Sequence, residues 1–195
     1  MSYRVINKDE PTKALLDRHA SELMREKGAD FSIREVCAAA GVSVGTFYTY
    51  YKSKSELILG RLNYRDQFLN QELEKAAPKN AEEKLICIAS AYARYSVGRG
   101  VVSCTQVWAS MQQAKITVEK DHQNALCKSI LEAIQDGQKE GIFSNGLDAQ
   151  VYADAMLDLL RGAGYNWSYY NGKDYDFENK AITGMKIFIA GMKKV

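Results

Sequence analysis

Proline occurs only at Pro11 and Pro78 in this chain of 195 residues, so its helix-breaking chemistry, a fixed φ and a missing N–H, is absent from Lys79 to Val195. Alternating β-branched runs, the mark of half-buried strands, are scarce. An all-α fold is expected. The balance of 46% hydrophobic and 26% charged residues is that of a globular chain, which excludes a disordered tail, a collagen-like chain and a low-complexity scaffold. No apolar run approaches the ~18 residues of a membrane span, and the opening MSYRVINKDEP lacks the apolar stretch of a signal peptide. The expectation is a cytoplasmic protein without a membrane partner.

Cys37, Cys87, Cys104 and Cys127 lie far apart and form no CxxC pair, while His19 and His122 stand alone. That spacing disfavours a zinc site and fits reduced thiols buried as small hydrophobes. No glycine-rich phosphate loop follows a strand, no paired histidines occur, and no nucleophile elbow is present. Neither catalysis nor a cofactor is expected.

Net charge is only +2, but its distribution is uneven. Residues 1–54 hold 9 basic against 7 acidic side chains, whereas residues 55–195 balance at 17 of each. Val36 to Ser55 contains no acid, yet carries Lys52, Lys54 and the hydroxyls of Ser43, Thr46, Tyr48, Thr49, Tyr50, Tyr51, Ser53 and Ser55. Such a surface approaches phosphates without repulsion.

Helix signals are dense in the same region. A first helix is expected from about Asp9-Glu10-Pro11 to Lys27-Gly28, with Leu16, Ala20, Leu23 and Met24 on its apolar stripe. Ser32 and Glu35 form a capping box for a second helix bearing Ile33, Val36, Cys37 and Ala40 on one face, and Gly41 supplies a tight turn. Ser43 caps a third helix, Val44 to Tyr50, and Ser53 with Glu56 forms a second box that opens a long fourth helix reaching Gln71. Two short helices about a glycine turn, the second free of acids, have the form either of a helix-turn-helix DNA reader or of an ordinary helical hairpin with packed tyrosines.

The run Phe31 to Leu57, above all AGVSVGTFYTYYKSKSEL, closely resembles the DNA-binding head of the TetR (tetracycline-repressor) family. Leu16 to Gly28 is similar to that family's first helix, although His19 stands where a small residue is usual and Tyr51 where phenylalanine is commoner. The resemblance covers about residues 9–60. It implies a three-helix head over residues 1–54 and a larger helical effector-binding and dimerisation domain over residues 55–195, with about nine helices in all.

By resemblance, Val44 to Tyr50 is the recognition helix, with Val44, Gly45, Thr46, Thr49 and Tyr50 nearest the bases. Val44 suits a thymine methyl, and Gly45 permits close backbone approach. Tyr48 and Lys54 are candidates for phosphate contact, as is Ser32 or Arg34 at the start of the second helix. Phe47 and Tyr51, spaced i and i+4, are expected in the head's core. Without arginine, asparagine or glutamine in the recognition helix, specificity leans on methyl contacts and DNA shape.

Beyond Pro78, helical patterns cover about Ala81 to Val97, Ser103 to Gln113, Ile116 to Glu140, Asp148 to Tyr170 and Asp176 to Met192, with glycine-bearing breaks between them. The last two carry small residues at Ala155, Gly162 and Ala163 beside Leu159 and Asn166, then Ile182, Met185, Phe188, Ile189 and Met192. The resemblance implies that this pair forms a homodimer's four-helix interface, so that two heads meet a pseudo-palindromic double-stranded operator. Tyr64, Phe68, Tyr92, Tyr95, Trp108, Met111, Gln112, Tyr165 and Trp167 either line an effector cavity or are core. The expected function is a ligand-responsive transcriptional regulator, a repressor released by a small molecule. The alternative is a constitutive or architectural DNA-binding protein whose C-terminal domain only dimerises.

Overall fold

The computed structural model describes residues 11–28, 30–60, 62–113, 122 and 124–193. These are helical nearly throughout, and the β-pairing among them is one isolated antiparallel bridge between Phe143 and Lys193. The helices are α1 (Thr12–Lys27), α2 (Ile33–Ala40), α3 (Val44–Tyr50), α4 (Lys54–Leu59), α5 (Leu62–Ala76), α6 (Ala81–Arg99), α7 (Val101–Gln113), α8 (Ala125–Lys139), α9 (Ala149–Tyr169) and α10 (Phe177–Met192). No helix among the described residues is long and apolar enough to cross a membrane.

Capping chemistry places most boundaries. Asn80, Asn124, Asp148 and Asp176 each accept a backbone N–H from the first turn of α6, α8, α9 and α10, satisfying donors that a helix start would otherwise leave open. Helix α1 opens directly after Pro11 without a side-chain cap, and Asp9 and Glu10 lie outside the described residues. The long fourth helix expected from the capping pattern is instead two, α4 and α5. Gly60, a poor helix former, ends α4 after six residues, its N–H bonded to the Glu56 and Ile58 carbonyls. Of the pattern expected from Ile116 to Glu140, residues 116–121 and 123 lie outside the described residues, and α8 covers Ala125–Lys139.

Contacts group the chain into two compact units, one of Met1–Leu62 with Val102–Lys115 and one of Asn63–Val101 with Ile116–Val195. In the first, Leu16, Ala20 and Met24 of α1 pack with Phe31, Val36, Ala40, Phe47, Leu57 and Ile58, and Leu23, Ile33, Val42 and Val107 close over them. Gly28 leaves room for Val102, whose Cγ1 would lie 3.3 Å from a Cβ placed there. In the second, α6, α8, α9 and α10 surround Leu85, Ile88, Leu126, Ile130, Ile134, Met156, Leu160, Phe177 and Met185. Met185, Ile189 and Met192 of α10 are buried in this core, whereas Ile187 stays exposed. All four cysteines are free thiols; Cys37 and Cys127 are buried, Cys87 and Cys104 half-buried.

Candidate nucleic-acid interface

The turn between α2 and α3 follows from local chemistry. Ser32 Oγ accepts the Glu35 N–H at 3.2 Å, and Glu35 Oε2 accepts the Ser32 N–H at 2.7 Å, completing the capping box. Gly41 ends α2 at φ 69°, in the left-handed region that side chains with a Cβ resist. Ser43 then accepts the Thr46 N–H at 3.0 Å and starts α3. At α4, Ser53 Oγ takes the Glu56 N–H as the pattern predicts, but the Glu56 carboxylate accepts from Lys52 N rather than from Ser53 N.

Helix α3 is held from beneath and open above. Phe47 is fully buried, its ring 5.7 Å from that of Tyr51 and edge-on to Tyr48 at 5.3 Å. The Tyr51 hydroxyl, absent from the commoner phenylalanine, donates to the buried carboxylate of Asp17 on α1, tying the end of α3 to that helix. With Phe47 turned inward, Val44, Gly45, Tyr48, Thr49 and Tyr50 are exposed, Tyr48 at 55%. Thr46 is half-buried, its hydroxyl 2.9 Å from Ser43 Oγ, and the Thr49 hydroxyl donates to the Thr46 carbonyl at 2.7 Å.

The cations around α3 differ in availability. Arg34 is exposed on the first turn of α2, and Lys52 is exposed just past α3, neither in an ion pair with another described residue. The Lys54 ammonium donates to the Phe31 carbonyl at 2.5 Å and stands 4.1 Å from the centre of the Phe31 ring, so part of its hydrogen-bonding capacity is used within the head. Ser32 is exposed with its hydroxyl engaged by Glu35. Lys52 is thus a phosphate candidate that motif reasoning passed over, although the acid-free stretch contained it. The Lys27 ammonium, 2.5 Å from Glu35 Oε1, holds that carboxyl well below its ordinary 4.5, at about 2, with help from the Ser32 N–H and hydroxyl. The same bond raises the Lys27 pKa. Burial pushes the Cys37 thiol up, in keeping with an inert core residue.

The nine side chains and backbone positions expected at DNA therefore all lie on the first unit, around α2, α3 and the start of α4. The aromatic and polar set expected at an effector divides. Trp108, Met111 and Gln112 are on α7 in the first unit, whereas Tyr64, Phe68, Tyr92, Tyr95 and Tyr165 are in the second. Phe68 and Tyr95 meet at 5.7 Å, and Tyr92 is buried edge-on to Phe177 at 6.0 Å. Tyr64 and Tyr165 are exposed.

The family profile described as bacterial regulatory proteins, tetR family, matches residues 18–60, the span that holds α2, α3 and α4. Over 184 residues the chain is 23% identical to the fatty acid metabolism regulator protein of Bacillus subtilis (strain 168), covering 89% of this chain and 91% of that one. Its fold is similar to that of a TetR transcription regulator from Haloarcula marismortui ATCC 43049, with a TM-score of 0.71 at 18% identity over 94% of this chain and 98% of the other. It is also similar to the transcriptional regulator FadR from Bacillus subtilis in complex with stearoyl-CoA, with a TM-score of 0.67 at 16% identity over 92% and 98% of the two chains. The head, residues 18–60, thus matches the tetR family profile, and the all-α fold is similar along nearly the full length to that of a TetR transcription regulator.

Proposed function

We propose that the protein is a homodimeric repressor that leaves a pseudo-palindromic operator when a small molecule binds its larger unit. The observation that carries this reading is α3, anchored through Phe47 and Tyr51 while Val44, Gly45, Tyr48, Thr49 and Tyr50 face outward in a stretch without acids. In a major groove, Val44 would meet thymine methyls, and the Thr49 and Tyr50 hydroxyls would meet base edges. Tyr48, Lys52, Arg34 and the Ser32 end of α2 would hold phosphates and set the register without reading sequence.

One seven-residue helix reads few base pairs, and a two-fold dimer doubles the site. The exposed side of α9 and α10 supports such a pairing, with Gly162 and Gly191 open to close approach beside Tyr165 and Ile187. Release follows if the effector favours a conformation with the wrong head spacing, and DNA must then weaken the effector by the same factor. The stearoyl-CoA complex of the Bacillus subtilis relative makes a long-chain acyl-CoA the first effector to try. Phe68, Tyr92 and Tyr95 of the larger unit are the candidates for its apolar contacts, with Tyr64 and Tyr165 as further ones.

Selection of random duplex DNA by the purified protein tests the reading. A pseudo-palindrome should emerge, its affinity should fall steeply between two salt concentrations, and stearoyl-CoA should weaken it. Salt-sensitive binding without enrichment would overturn sequence-specific repression in favour of an architectural role.

A further inference from the structure

A second pocket lies in the larger unit, and Trp167 is the one residue of the expected effector set that lines it. A pocket of about 460 Å³ opens between the last turns of α6, the turn after α9 and the start of α10, walled by Trp167, Tyr175 and Phe177 and edged by Arg94, Asp176 and Glu178. Its charges are not balanced from within. The Arg94 guanidinium pairs at 2.9 Å with Glu72, which Lys75 also bonds at 3.0 Å, while the carboxylates of Asp176 and Glu178 have no ion-pair partner among the described residues. Asp176 accepts only the Asn179 N–H that it caps, and Glu178 accepts the Ser90 hydroxyl at 2.6 Å.

The independent observation is Trp167. Its side chain is only 5% exposed and stacks on Phe177 at 5.6 Å, yet its indole N–H donates to no acceptor among the described residues. No side-chain nitrogen or oxygen sealed from solvent lacks a partner among the described residues, so this nitrogen is reached by solvent, on a side chain that lines the pocket. Gly172 keeps it uncovered: a Cβ there would lie 3.4 Å from the indole nitrogen, and its φ of +70° disfavours any side chain. A donor fixed on a nearly buried ring and reached by solvent is free to orient an acceptor that enters beside it.

We propose that this pocket binds a small organic cation bearing a hydrogen-bond acceptor, the positive charge lying against the aromatic walls and the Asp176 and Glu178 carboxylates, the acceptor on the Trp167 N–H. Aromatic surface together with uncompensated carboxylates selects positive charge, and one fixed donor orients the ligand. An anion is disfavoured there, because Asp176 already occupies the positive end of α10 and Arg94, already bonded to Glu72, stands beside two further carboxylates.

Three ligands of one shape test this: 2-phenoxyethylammonium, neutral 2-phenoxyethanol and anionic phenoxyacetate. The chain has 2 tryptophans, so its amide spectrum shows two indole N–H resonances, assigned with Trp108→Phe. The cation should shift the Trp167 resonance saturably in the unaltered protein and bind at least about tenfold tighter than the alcohol. Glu178→Gln, which keeps the Ser90 hydrogen bond, should abolish that preference. Equal binding of cation and alcohol, tighter binding of phenoxyacetate, or no saturable shift with the cation would each overturn the proposal.

Discussion

Glu35 shows how much one carboxylate organises in the head. Its two oxygens accept from Lys27 Nζ, Ser32 N and Ser32 Oγ at 2.5, 2.7 and 2.9 Å, tying the end of α1 to the start of α2. Because the folded-state pKa of about 2 lies below the ordinary 4.5, the group's contribution to stability is complete above pH 4.5 and is lost as pH falls toward 2. Acid unfolding of Glu35→Gln, followed by circular dichroism, should therefore lack the part of the pH dependence that the parent shows between those values. An unchanged acid profile would refute the link. The half of this cluster that spans three residues was legible, since Ser and Glu at that spacing form a box through local geometry alone. The Lys27 contact was not, and neither was Tyr51 bonding to Asp17 across 34 positions, because nothing local brings such groups together.

At the scale of elements, glycine marks where helices end and where they are pressed. Gly41 was readable as the turn before α3, and its φ of 69° shows why no other residue serves as well there. Gly60 was passed over, since the periodicity of apolar residues runs through it and suggests one continuous helix where two stand. Gly137 has a different reason to be glycine. It sits buried inside α8, and a Cβ there would fall 2.2 Å from Cδ2 of the fully buried Phe143 ring. Gly137→Ala gains helix propensity but must displace that ring, and overpacking outweighs propensity, with a net loss of about 1–3 kcal/mol. Thermal unfolding should show a Tm lowered by about 2–4 °C for each kcal/mol in a chain of this size. A raised Tm would mean that Phe143 yields freely.

For the whole molecule, the proposed dimer makes the sharpest demand. Ile187 on α10 is 69% exposed, so Ile187→Glu removes nothing from the chain's own core and should leave its melting nearly unchanged. On the proposed four-helix interface the same change buries a charge without a partner, and sedimentation should show monomers, with operator affinity falling in parallel. A variant that remains dimeric would place the interface elsewhere.

The helices, their caps and the helix-turn-helix segment were written in short-range chemistry: few prolines, Ser-x-x-Glu boxes, a glycine turn and an acid-free third helix. These signals act over three or four residues, so they read directly from the chain. Which apolar faces meet is a different kind of information. Met185, Ile189 and Met192 turned into the chain's own core while Ile187 stayed outside, Val107 of α7 joined the head's core, and the Trp167 indole met no acceptor among the described residues. Hydrophobic burial is non-directional, so periodicity identifies a face to be covered but not its partner, and the choice among partners is made only when all the helices pack at once.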